Sequence, residues 1–106
     1  MHALRRMTRE RFSEVFKHGE VRHSPHLLIR VSNSQDNYSH GAVVVSKRVE
    51  KGAVQRHLLK RRLYSILAHY FRNSLKSHDI VIVIKKNAGK LLFRDLKHEL
   101  MQAFEG

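Results

Sequence analysis

Apolar positions along this chain change their period several times, and each change marks an element boundary. Phe12, Val15 and Phe16 recur at i, i+3 and i+4, the spacing of a single helical face. Thr8 suits an N-cap and Gly19 a helix stop, so a first helix is predicted over about 9–18. Residues 1–7 ahead of it read as a loosely held basic arm. The period then shortens to two. Val21–His23 predicts a short edge strand ended by Ser24-Pro25. Leu27, Ile29 and Val31 alternate with Leu28 and Arg30, the pattern of a half-buried strand. Asn33–Gly41 is a polar turn. The β-branched run Ala42–Val45 predicts a further strand, paired with its predecessor as a hairpin.

Lys47–Lys51 forms a charged turn, and helical spacing returns over roughly 53–71. At about 100° per residue, Leu59, Leu63, Ile66, Leu67 and Tyr70 share one face of this helix. Arg56, His57, Lys60, Arg61 and Tyr64 share most of the other. After a loop over Asn73–His78 comes Asp79–Ile84, DIVIVI, the most hydrophobic stretch and so the predicted central strand. Asn87-Ala88-Gly89 breaks the chain. A last helix over about 91–104 turns Phe93, Leu96, Leu100 and Phe104 inward. The order αβββαβα predicts an α+β two-layer sandwich on a small mixed sheet. With 106 residues and no linker, repeat or low-complexity tract, residues 1–106 form one domain.

Composition narrows the class of partner. The formal net charge is +12, from 21 Lys and Arg against 9 Asp and Glu. Such an excess points to nucleic acid, although solubility or an anionic membrane surface could also use it. No predicted helix has the bulky apolar face of a membrane binder. Cysteine is absent, which excludes disulfides and thiolate metal sites. The longest apolar runs are too short to span a bilayer, and the basic start is not followed by a signal-type stretch. The chain therefore reads as soluble, intracellular and cytoplasmic.

The charge is clustered. Lys47, Arg48, Lys51, Arg56, Lys60, Arg61 and Arg62 fall within one short segment, and no Asp or Glu occurs between Lys51 and His78. An ordinary solvated helix face mixes signs to form i, i+4 pairs. A face of one sign suits a polyphosphate, whose counterions are released as Lys and Arg replace them. The histidines are scattered, without the spacing of a zinc site, and read mostly as surface or loop residues. The acids are too few and too dispersed for a two-metal nuclease centre. No metal site is expected in the protein.

The same segment resembles the signature of the bacterial ribonuclease P protein subunit. That pattern is a strand ending in V-S-K-K/R-V, a few residues, A-V, one variable residue, then R-N-R, a hydrophobic residue and K/R-R. Here it is Val45-Ser46-Lys47-Arg48-Val49, then Ala53-Val54-Gln55, then Arg56-His57-Leu58-Leu59-Lys60-Arg61. Arg56, Lys60 and Arg61 match. His57 stands where the family has Asn and Leu58 where it has the second Arg; His57 can still donate a hydrogen bond and Leu58 cannot. Phe12–Gly19 is similar to the family's F-x-x-V-F-K-x-G, and Asp79–Lys86 with the final helix is similar to its tail. The likeness spans about residues 4–104.

The resemblance implies a ribosomal protein S5 domain 2-like fold with a left-handed β-α-β crossover. It implies the protein subunit of an endoribonuclease holoenzyme that removes the 5′ leader of precursor tRNA. Catalysis would come from the RNA subunit, with magnesium bound mainly by that RNA and no catalytic residue in the protein. The partners would be the ribonuclease P catalytic RNA and precursor tRNA, with no membrane and no small-molecule substrate. Lys47, Arg48, Lys51, Arg56, His57, Lys60 and Arg61 would face the catalytic RNA. Tyr64 would stack or hydrogen-bond there, or pack. Phe12 and Phe16 would meet the leader, or pack as core, with Arg30 as a phosphate contact. Arg5, Arg6, Arg9 and Arg11 would touch substrate backbone or be solvated. Two other readings stay open: a structural ribosomal RNA-binding protein, and a ribosome-dependent RNA-cleaving toxin in which His57, Lys60, Arg61 and Tyr64 act as acids and bases.

Overall fold

In a computed structural model, residues 4–35, 37–49, 51–72, 76–85 and 93–105 are described. Their order is β1 (Leu4–Arg6), α1 (Arg9–His18), β2 (Glu20–His23), β3 (Leu27–Asn33), β4 (Ser39–Val44), α2 (Ala53–Arg72), β5 (His78–Ile84) and α3 (Phe93–Glu105). The expected break at 87–89 and the first residues of the last predicted helix lie outside the described residues.

Helix α1 forms where its pattern predicts. The Thr8 side-chain oxygen accepts from the Arg11 amide at 3.2 Å, Glu10 sits in the first turn and Lys17 and His18 in the last. Both charge placements complement the helix dipole. Gly19 ends the helix for a different reason from the one its type suggests. Its φ of −69° is ordinary, but a Cβ there would lie 2.6 Å from the Val15 carbonyl oxygen and 3.2 Å from that of Val31. Close approach to the Val15 carbonyl of α1, and secondarily to β3, selects glycine here, and not a left-handed turn.

The five strands lie in the order β1-β4-β5-β3-β2. β1 with β4 and β4 with β5 are parallel; β5 with β3 and β3 with β2 are antiparallel. Two expectations are overturned here. The basic arm supplies an edge strand, with Leu4, Arg5 and Arg6 registered against Ser39, His40 and Gly41. The predicted hairpin does not form, because β5 inserts between β3 and β4. Strand β5 is apolar on both faces, so its burial is greatest with a neighbour on each edge. It pairs with β3 along its whole length, from Leu27 opposite Ile84 to Asn33 opposite His78. β4 also begins earlier than predicted, inside the polar turn.

Strand alternation sorts the side chains onto two faces. Leu27, Ile29, Ile80, Ile82 and Ile84 pack with Leu59, Leu63, Ile66, Leu67 and Phe71 of α2 and with Leu96 and Leu100 of α3. Phe71 is the deeply buried aromatic of α2, while Tyr70, predicted on the core face, is half-buried and stacks on Phe104 at 4.9 Å. Phe93 is 41% exposed and does not turn inward as the α3 pattern predicts. Val81 and Arg30 point to the opposite face, where α1 lies and Val15 is buried. From the edge of the sheet Arg22 donates to the Ala103 and Phe104 carbonyls at 2.9 and 2.8 Å, satisfying the end of α3.

Candidate RNA interface

The residues singled out by sequence lie in two parts of the fold, the β4–α2 connection with α2, and the α1 side of the sheet. The first begins where β4 leaves the sheet. Lys47 and Arg48 are exposed in a turn closed by the Val49 amide donating to the Ser46 carbonyl at 3.1 Å. Lys51 is exposed just before α2. Arg56 is half-buried and folds back, its Nη1 donating to the Lys51 carbonyl at 2.8 Å. This ties the loop to the helix. The first turn of α2 carries no acid, so the positive end of its dipole adds to the side-chain charge.

Further along α2, His57, Lys60, Arg61 and Tyr64 line one cavity of about 680 Å³. Arg62, which sequence placed only within the charge cluster, and Phe93, which it assigned to the core, line it too, as does Arg6 of β1. The Arg6 guanidinium lies 5.1 Å from the Tyr64 ring centroid, and the phenol donates to the Leu4 carbonyl at 3.4 Å. Burial raises the Tyr64 pKa above its usual value, against the lowering effect of Arg6, so the hydroxyl stays a neutral donor. Only the pairing of β1 with β4 brings Arg6 here, a contact that local pattern does not reveal.

The second surface is the α1 side of the sheet. Phe12 and Phe16 stack at 5.7 Å with their planes 16° apart. The Arg30 guanidinium lies 4.6 Å from the Phe16 ring centroid, and its Nε is buried without a hydrogen-bond partner among the described residues. Phe16 keeps 39% of its surface exposed. Arg9 is exposed at the start of α1. Arg5 sits 3.4 Å from the Tyr38 ring centroid at the far edge.

Arg11 is placed differently. Its Nη1 meets Asp79 Oδ2 at 3.0 Å, and Asp79 Oδ1 meets His40 Nδ1 at 2.9 Å. Asp79 is buried on the α1 face of β5, and a carboxylate there requires partners. His40 is buried too, unlike the surface histidine that scattered spacing suggests. His26 is likewise engaged: Glu99 of α3 accepts from the His26 amide, contacts its Nδ1, and accepts from Ser24 Oγ. Burial works to raise the Glu99 pKa, but the bonds from Ser24 and His26 outweigh it and hold the carboxyl below its usual value.

Among the described residues no three His, Cys, Asp or Glu side chains form a metal-ligating group, and no helix is long and apolar enough to cross a membrane.

Comparison with known proteins decides the family. The Ribonuclease P family model matches residues 2–106. The chain belongs to the ribonuclease P protein family. It is 31% identical to the ribonuclease P protein component of Vibrio campbellii, over 97% of this chain and 92% of that one. It is 34% identical to that of Aliivibrio salmonicida, over 87% and 78%. The fold matches the RNase P protein of Staphylococcus aureus with a TM-score of 0.83 at 17% identity, covering 94% and 92% of the two chains. It matches that of Thermotoga maritima with a TM-score of 0.78 at 22% identity, covering 92% of each.

Proposed function

We propose that this chain docks on a ribonuclease P catalytic RNA through the ridge running from Lys47 to Tyr64, and holds the 5′ leader of precursor tRNA against α1. One observation carries the first half: His57, Lys60, Arg61 and Arg62 share a cavity with Arg6, on a helix with no Asp or Glu. Phosphates laid along this surface release counterions and meet no repulsion. Bidentate arginines set the orientation, while Lys60 contributes a point charge.

The stacked Phe12, Phe16 and Arg30 support the second half. An exposed ring backed by a guanidinium suits an unpaired base, which stacks whatever its identity. The Arg30 guanidinium places a positive charge beside the ring, where the adjoining phosphate would lie. Arg9, exposed at the start of α1, extends the cationic path, whereas Arg11 is engaged by Asp79.

Magnesium, held mainly by RNA phosphates, would supply Lewis-acid stabilisation at the scissile phosphate. The protein's residues bind and orient the two RNAs and leave bond cleavage to the RNA subunit. The reading is tested by titrating the protein with a bacterial ribonuclease P RNA, then titrating that complex with precursor and mature tRNA. Tight, salt-dependent binding to the first and a preference for precursor over mature tRNA support it. Cleavage of a messenger by the protein alone, or co-sedimentation with ribosomes without effect on tRNA 5′ ends, would contradict it.

A further inference from the structure

The cavity bounded by β1, β4, α2 and the start of α3 is not built like a simple phosphate-gripping surface. Arg6, Lys60, Arg61 and Arg62 line it, but so does a set of apolar groups. Gly41, Ala42 and Val43 of β4 contribute one wall. Half-buried Leu58 contributes another, at the position where the family pattern would put a guanidinium. Phe93 completes it. This residue shares the helical spacing of the buried Leu96 and Leu100, yet it stays 41% exposed and faces the cavity. A single exposed aromatic is unremarkable by itself. An exposed ring and a leucine set among four cations form a site for something with a flat apolar part and a negative charge.

We propose that this cavity receives one unpaired nucleotide of the partner RNA, its base against Phe93 and Leu58 and its flanking phosphates on Arg6, Lys60 and Arg62. The proposal rests on the docking of RNA to the ridge and adds to it a point of insertion. The volume of about 680 Å³ falls within the range of small-ligand sites, about 300–1,000 Å³. A base inside a duplex cannot enter, so the nucleotide belongs to a bulge, loop or strand end. Edge strand β1 helps form the site, because Arg6 lies over Tyr64 and the Leu4 carbonyl holds the Tyr64 hydroxyl.

The chain contains no tryptophan, so Phe93→Trp places its sole indole in the cavity. Titrating this variant with a bacterial ribonuclease P RNA transcript is expected to quench the indole emission while affinity is kept. Phe93→Ala is expected to lose affinity on the order of tenfold, as removal of a base-stacking ring does. Its salt dependence stays unchanged, because no charge is removed. Unchanged indole emission at saturation, or a Phe93→Ala affinity within about twofold of the parent, overturns the proposal. Lys60→Ala, measured in parallel, separates the two levels. If it weakens binding while both Phe93 variants behave like the parent, the nucleotide site falls and the ridge stands. If none of the three responds, the ridge reading falls as well. A thermal melt of Phe93→Ala establishes that it folds, and the indole signal stands independently of that variant.

Discussion

The Arg30 guanidinium lies over the Phe16 ring, its Cζ 4.6 Å from the ring centroid, so the α1 face of the sheet presents a cation and an aromatic as one unit. Arg30 Nε is buried with no partner among the described residues, so any contact with a phosphate falls to the terminal nitrogens of the guanidinium. Phe16→Ala is expected to weaken binding to precursor tRNA by about five- to tenfold, the loss of one stacked base, and to leave mature tRNA binding unchanged. Arg30→Met keeps much of the side-chain length and removes the charge. It should lower the salt dependence of precursor binding by about one contact. Competition binding with both tRNAs measures each effect, and equal losses for the two tRNAs would make Phe16 a packing residue only.

Arg11, Asp79 and His40 join α1, β5 and β4 in one buried network. Asp79→Ala removes the carboxylate that both Arg11 and His40 contact. A loss of about 3 kcal/mol in urea unfolding is expected, the lower end for breaking a buried pair, since Arg11 is partly solvated. Arg11→Ala should act in the same direction. Were Arg11 chiefly a leader contact, its loss would alter precursor binding and leave the unfolding midpoint in place.

Helix positions were legible because their signals are local. Thr8 and the Phe12, Val15, Phe16 stripe bound α1, and the Leu59, Leu63, Ile66, Leu67 stripe gives α2 its core face. The central place of Asp79–Ile84 follows from its being apolar on both faces. Strand partners were not legible. Ala42–Val45 follows Leu27–Val31 in the chain and suggests a hairpin, but β5 competes for both edges and prevails through greater burial. The Arg6–Tyr64 contact depends on β1, three residues whose pairing no periodicity can show. Phe93 matches the α3 stripe, and only the three-dimensional path of the chain places it at the basic cavity. Of the candidate RNA contacts, sequence marked the α2 cations, but it could not separate Arg11, held inside the fold, from Arg9, which is exposed.

Acid should loosen α3 from the sheet. The Glu99 carboxyl has a folded pKa below its usual value, so its stabilisation is present above the ordinary carboxylate range near 4.5. That stabilisation is lost as pH falls through the folded value. His78, its pKa lowered first by burial and then by Lys76 and Arg22, acts in the same sense at a higher pH, below about 6.5. Thermal melts between pH 7 and pH 3 should show a falling midpoint. Glu99→Gln should melt lower at pH 7, by an equivalent of about 1–2 kcal/mol, and lose the acidic part of the dependence. A variant with the parent's pH profile would contradict the role of the Ser24–His26–Glu99 cluster.

Lys60 and Arg56 should behave differently although both lie on the ridge. Lys60→Ala removes an exposed charge, so the salt slope of RNA binding should fall by about one contact with the melting temperature unchanged. Arg56→Ala also frees the Lys51 carbonyl and should lower stability by about 1 kcal/mol as well as affinity. Filter binding at several salt concentrations, alongside thermal melts, distinguishes the two. Identical slopes for the parent and Lys60→Ala would remove Lys60 from the interface.

Reconstitution tests the central claim most directly. The purified protein is added to a bacterial ribonuclease P RNA with precursor tRNA, at a magnesium concentration too low for the RNA alone to cut. The account predicts release of the intact 5′ leader only when protein and RNA are both present. No stimulation by the protein, or cleavage of the precursor by the protein without the RNA, would contradict it.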